Sequence, residues 1–144
     1  MKRKLRPISS AFLVPVDPAR LRDLPLFSEL AEAELVHLAA YAEFKTSDPG
    51  DVLIHEGASG YTFFVILEGT VDVDRDGERI ESLGPGDFFG EMAILGSGRR
   101  NATVTASTHV ELLALFGTVF RTMESDHPHV AELIRRKVAE RARY

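Results

Sequence analysis

Between Asp48 and Phe116 the chain is a succession of short apolar stretches, broken at near-regular intervals by glycine, proline and aspartate. That punctuation limits the possible folds more than any other feature, because it leaves no room for the long crossover helices that parallel strands require. Asp48-Pro49-Gly50 opens the region as a turn, and Val52–Ile54 follows as a short strand ended by Glu56-Gly57. Phe63, Val65 and Leu67 alternate within a run apolar enough for a core, which Gly69 breaks. Val71 and Val73 then alternate with Asp72 and Asp74, the period-2 pattern of a half-exposed strand. Asp76-Gly77 suits a tight hairpin turn, with Ile80 and Leu83 on the return strand. After Gly84-Pro85-Gly86-Asp87, Val104 and Ala106 alternate with Thr103, Thr105 and Ser107, and Val110–Phe116 reads as one more buried strand. Strands this short and this evenly spaced predict an antiparallel β-roll, a double-stranded β-helix or jelly roll, rather than a parallel sheet.

The flanks read differently. From Ala19 to Phe44 apolar residues recur at helical spacing (Leu30, Leu35, Leu38, Ala39), with Pro25 splitting off a short turn and Ser28 placed as N-cap, Glu32 nearby. From Thr118 the helical period returns, and Val130, Leu133, Ile134 and Val138 form one stripe behind Pro128. The expected class is mainly β with flanking helices. The expected division is a basic, proline-bearing N-terminal arm or linker over residues 1–18 and one domain over 19–144, with helices at 19–45, the β-roll at 46–117 and C-terminal helices at 118–143.

Composition removes several functions. A chain of 144 residues fits one domain, and the absence of cysteine excludes disulfide scaffolds, Cys-ligated metals and thiol nucleophiles. The longest apolar stretches, Ala11–Val16 and Phe63–Leu67, fall far short of the roughly 20 residues of a membrane span, and Pro15 interrupts the first as a signal-peptide core. The expected location is cytoplasmic. Nine of the 17 Lys/Arg lie in the first six and last ten positions, read as solvated termini. Residues 7–134 then hold 8 basic against 21 acidic side chains, the reverse of a nucleic-acid footprint. No Gly-x-Ser-x-Gly elbow, phosphate-binding Gly-x-x-x-x-Gly-Lys-Ser/Thr loop or His-Glu-x-x-His is present. The one His-x-His, His127-Pro128-His129, opens a helix instead of lying on a strand, and all five histidines read as surface or structural. No catalytic residue and no metal ligand is assigned.

The chemistry concentrates in the segment from Phe88 to Val104. Gly90 interrupts the strands, Glu91 to Leu95 is compatible with a short helix, Gly96-Ser97-Gly98 is a loop, and Arg99-Arg100 stand at the mouth of a strand. A helix start offers backbone N–H groups to an anion, glycine permits close approach, and arginine pairs a phosphate through two parallel hydrogen bonds. A carboxylate beside them accepts from sugar hydroxyls. Glu91 and Arg100 together suit a ligand that carries both a ribose and a phosphate.

This segment resembles the phosphate-binding cassette of the cyclic nucleotide-binding domain, whose pattern runs Phe-Gly-Glu-apolar-Ala, a loop, then Pro-Arg-small-Ala-Thr/Ser. Phe89, Gly90, Glu91, Met92, Ala93, Arg100, Ala102 and Thr103 match it, and the glycine frame Gly50, Gly57, Gly69, Gly86 and Gly90 is similar too, so that the likeness covers about residues 20–140. The resemblance implies a non-catalytic regulatory module. Arg100 would pair the cyclic phosphate of cAMP, with cGMP as the second candidate, and Glu91 would hold the ribose 2′-hydroxyl. Backbone groups around Gly90, Met92, Ala93 and Ala102 would complete the cradle, and Val65 and Val71 would face the base. The C-terminal helix would close as a lid. No further cofactor is implied. Two positions depart from the pattern: Arg99 replaces the usual proline, and Asn101 replaces the small residue near the phosphate and base, which leaves the choice between cAMP and cGMP open. The implied partner is an effector protein or a fused effector domain, with no direct DNA binding. The stripe from Val130 to Val138 serves equally as a lid or as the seam of a homodimer. A cupin-like metal-dependent enzyme or small-ligand binder is the alternative on a similar roll, and a degenerate interaction module is a third reading.

Overall fold

The computed structural model describes residues 16–58, 60–95 and 100–141. The chain runs α1 (Pro18–Leu21), a 3-10 turn (Pro25–Phe27), α2 (Glu32–Tyr41), β1 (Glu43–Ser47), β2 (Val52–Ile54), β3 (Thr62–Glu68), β4 (Val71–Arg75), β5 (Glu78–Leu83), β6 (Phe88–Phe89), α3 (Met92–Leu95), β7 (Thr103–Ala106), β8 (Val110–Phe116), α4 (Gly117–Asp126) and α5 (Pro128–Arg141). The strands form two four-stranded antiparallel sheets, ordered β1-β8-β3-β6 and β2-β7-β4-β5. This is the β-roll with flanking helices that the punctuation predicts.

The two sheets differ in what covers them, and the strand sequences show it. β3 sends Phe63, Val65 and Leu67 to the helices and Phe64 and Ile66 into the roll, while β8 sends Leu113 and Leu115 outward and Val110 and Leu112 inward. With both faces covered, neither strand keeps a polar face, hence their near-continuous apolar runs. The β4 and β7 strands bury Val71, Val73, Val104 and Ala106 in the roll and leave Asp72, Asp74, Thr103 and Thr105 on the outer face. Asp76 and Gly77 form the two-residue loop between paired Arg75 and Glu78, both at positive φ (54° and 83°), as a type I′ hairpin requires. Ile80 is the extra residue of a bulge in β5 and is 40% exposed, so it does not share the inward face of Leu83.

Three expectations shift at the helical flank. Residues 43–45, expected at the end of the N-terminal helices, belong instead to β1, which pairs Glu43 to Ala114 and Ser47 to Val110. Ser28 does not cap α2: its hydroxyl donates to the Pro25 carbonyl at 2.9 Å and closes the 3-10 turn. The helix starts at Glu32, where the Glu34 carboxylate accepts from the Ala31 N–H at 2.8 Å. The fold also reaches upstream of residue 19, since Val16 is buried and the Asp17 carboxylate caps α1 by accepting from Ala19 N–H at 3.0 Å. At the other end, Val130, Leu133, Ile134 and Val138 are buried in the same cluster as Leu26 and Phe27 of the 3-10 turn. Glu29 accepts from Arg136 at 2.9 Å and Lys137 at 2.7 Å, which holds its carboxyl below the usual range, the Lys137 hydrogen bond contributing most. The stripe is thus packed within the chain.

Phe63 is fully buried between the first sheet and the helices. Phe63→Ala is expected to cost about 3–5 kcal/mol, read as a lowered urea midpoint at unchanged slope.

Candidate functional site

The site is built at one end of the roll, where the turn from β6 into α3, the segment entering β7 and the β2–β3 turn converge. Gly90 has φ +77°, and a Cβ there would lie 2.6 Å from the Thr62 carbonyl oxygen and 3.0 Å from Arg100 Nη1, so glycine is required on both counts. The α3 helix is a single turn: Ala93 N–H donates to the Gly90 carbonyl at 3.1 Å, and the N–H groups of Ile94 and Leu95 donate to Glu91 at 2.9 Å. Arg100 is anchored by its main chain, with its N–H donating to Ala58 O at 3.0 Å and its carbonyl accepting from Gly57 N–H at 2.8 Å. Its side chain turns into the protein. Nη1 donates to the Gly90 carbonyl at 3.2 Å and Nη2 to the Thr62 carbonyl at 2.9 Å.

Glu91 (0% exposed) and Arg100 (6%) are the two buried charged side chains among the described residues. Burial pushes the Arg100 guanidinium down from its ordinary value, and the neighbouring Glu91 carboxylate pulls it back up. Arginine nonetheless stays a cation at any physiological pH. Interiors tolerate charge only when it is paired or hydrogen-bonded, and here each charge supplies part of the other's compensation. A cavity of about 190 Å³ opens beside Arg100, lined by Leu53, Ile54, His55, Gly60 and Phe64 among others. Phe64 stacks on Phe89 with ring centroids 5.0 Å apart.

Of the residues singled out in the sequence, Gly90, Glu91 and Ala93 share the α3 turn, and Arg100 reaches it through Gly90. Met92 begins α3. Ala102 is buried in the roll, and Asn101 is half-buried beside Arg100. Two assignments do not hold as placed. Val65 points from β3 into the helical layer, on the face opposite Arg100, because residue 65 alternates with Phe64. Val71 lies inside the roll but at its far end, paired with Ala106 and Leu83, whereas Val73 sits opposite Val104, nearer the site. Arg99 and Gly96-Ser97-Gly98 lie outside the described residues. Gly60, Thr62 and Phe64 were missed. Strict alternation along β3 could have selected Phe64, whereas no pattern in a single sequence marks Gly60.

The histidines fall elsewhere. His127 stacks on His37 at 4.0 Å between centroids, and His129 Nε2 lies 3.2 Å from Glu34. Among the described residues no group of three His, Asp or Glu is placed to hold a metal ion, and no helix is long and apolar enough to cross a membrane.

A Cβ at Gly60 would fall 2.6 Å from Nη2 and 2.7 Å from Cζ of Arg100. Gly60→Ala is therefore expected to displace the guanidinium while leaving the roll folded. The check is a shifted Arg100 Nε–H resonance in ¹⁵N NMR, with amide signals of the α2 and α5 helices unmoved.

Known proteins are similar to this chain in sequence and fold. The profile of the cyclic nucleotide-binding domain matches residues 44–127. A cyclic nucleotide-gated potassium channel of Rhizobium etli is 38% identical over 118 residues, which span 82% of this chain and 33% of the channel. A cAMP-dependent protein kinase regulatory subunit of Hypocrea atroviridis is 33% identical over 103 residues, 72% of this chain and 22% of the subunit. The crystal structure of the N-terminal domain of a transcriptional regulator from Streptomyces coelicolor A3(2) superposes with a TM-score of 0.73 at 36% identity, covering 85% of this chain and 88% of that one. The chain spans about a third or less of the length of these two full-length relatives. With the profile and the relatives in agreement, this chain belongs to the cyclic nucleotide-binding domain family.

Proposed function

We propose that the chain binds a cyclic nucleotide, cAMP in preference to cGMP, and acts as a regulatory module without catalysis of its own. The observation that carries this reading is the placement of the two buried charges, Glu91 and Arg100, at one niche beside a glycine-lined turn. A carboxylate and a guanidinium side by side match the ribose hydroxyl and the cyclic phosphate of one ligand. The preference for cAMP rests on the relative that is named as cAMP-dependent.

Arg100 pairs the phosphate in this reading. Its present acceptors are neutral carbonyls, and a phosphate oxygen is a stronger, charge-assisted acceptor, so the ligand competes favourably for the guanidinium. Glu91 accepts from the 2′-hydroxyl, the backbone at Gly90, Met92, Ala93 and Ala102 lines the phosphate, and Asn101 stands next to Arg100 to contact the base side. Drawing Arg100 away from the Gly90 carbonyl loosens the β6–α3 turn. That turn is tied to the C-terminal helix, because Arg135 of α5 donates to the Ile94 carbonyl at 3.1 Å and pairs with Glu124 of α4. A nucleotide that binds one arrangement of α3 and α5 better than the other shifts the population between them. The effector is a separate protein or a domain fused to the module.

Calorimetric titration of nucleotide-free protein with cAMP and cGMP tests the reading. Saturable one-to-one binding is expected, tighter for cAMP, and Arg100→Ala is expected to weaken it about 10- to 100-fold, the worth of hydrogen bonds to a charged group. Absence of heat with both nucleotides would refute it.

A further inference from the structure

The Arg100 guanidinium is placed by the Gly90 and Thr62 carbonyls, but the peptide that follows it is placed from a different direction. Three segments distant in sequence meet there: the β2–β3 turn, the stretch entering β7, and the tip of the β4–β5 hairpin. Arg75, the last residue of β4, donates from Nε to the Asn101 carbonyl at 2.9 Å. The hairpin tip that carries Arg75 is itself tied down, because Asp76 N–H donates to the Glu56 carboxylate at 3.0 Å. Glu56 in turn donates its own N–H to Thr103 Oγ1 at 3.0 Å, which closes the loop back onto β7. Asp76 is the one non-glycine residue at positive φ among the described residues, a conformation such an arrangement must hold against its cost.

The carbonyl of Asn101 and the N–H of Ala102 belong to one planar trans peptide, so fixing the direction of the first fixes the direction of the second. A cationic donor on the carbonyl also polarises the peptide and strengthens its N–H as a donor. We infer that Arg75 is a positioning residue of the anion site, which orients the Asn101–Ala102 peptide so that the Ala102 N–H is presented to the phosphate, with Glu56 holding the hairpin in register. This inference rests on the cyclic nucleotide reading above. It gives the exposed tip of the β4–β5 hairpin a role in affinity although it supplies no direct ligand contact.

The test compares wild type, Arg75→Gln and Arg75→Lys by calorimetry with cAMP, by thermal unfolding, and by the Ala102 amide proton shift on saturation with cAMP. Arg75→Gln is expected to weaken binding about three- to tenfold, the worth of one hydrogen bond, and to reduce the ligand-induced downfield shift of the Ala102 amide at an unchanged thermal midpoint. Arg75→Lys, which keeps a cationic donor, is expected to recover part of both. Equal affinity in Arg75→Gln and wild type would overturn the inference while leaving the nucleotide reading intact. So would a loss that comes with a lowered midpoint and an unaltered Ala102 shift, since that is general destabilisation. A wild-type protein that binds neither nucleotide would instead remove the functional reading, and with it the role of Arg75.

Discussion

A buried guanidinium imposes conditions on everything around it. Desolvating the Arg100 charge is costly unless carbonyls and a carboxylate replace the lost water, and the chain supplies them from segments that are far apart in sequence. Gly90 contributes a carbonyl from the β6–α3 turn, Thr62 one from the start of β3, and Glu91 a negative charge from the first residue after Gly90. The space for the side chain is left by absent side chains, since a Cβ at either Gly60 or Gly90 would invade it. In the proposed function the same cation that the fold must neutralise serves as the receptor for an anion. Partners that are neutral carbonyls rather than a full complement of carboxylates leave it open to exchange for a phosphate.

The second dependence is mechanical. Sheet β1-β8-β3-β6 is apolar on both faces, and its strands divide their side chains between the roll interior and the helical layer. Phe63 and Val65 pack in the helical layer, while Phe64 and Ile66, their immediate neighbours, line the roll. A displacement at the Arg100 end of the roll is thus one residue away from the packing of the helices, and Arg135 adds a polar link between α5 and the carbonyl of Ile94. Close-packed interiors transmit such shifts because they have little free volume to absorb them.

Much of this was legible beforehand. The hairpin at Asp76-Gly77, the alternation in β4 and β7 and the double-buried character of β8 follow from local rules, namely turn stereochemistry and the period of a strand, which act within a few residues. Glu91 and Arg100 stand out in the sequence as well, through the spacing of a cassette, and both prove buried. What was misread depended on partners elsewhere in the chain. Residues 43–45 join a strand because the edge of β8 is there to receive them, and no local preference marks the change. Ile80 reads as an ordinary residue of the return strand, and only the register against β4 shows it to be the extra residue of a bulge. Val65 was assigned to the base as an apolar residue of the roll, yet in a strand adjacent residues face opposite ways.

What the amino-acid sequence determined by itself was the class of architecture, the position of its turns and the identity of two charged residues, Glu91 and Arg100, that the fold buries. These depend on backbone sterics, hydrophobic period and side-chain chemistry, all of which are short-range. Only the tertiary structure decided which face of β3 looks toward Arg100, that Gly60 must lack a side chain, and that the C-terminal stripe packs in one cluster with Leu26 and Phe27. It also decided that Arg75, at the tip of a distant hairpin, grips the peptide next to Arg100. Such contacts depend on where three separate turns come to rest against one another. That is set by the packing of the whole roll, a sum of many weak interactions that no short stretch of sequence encodes.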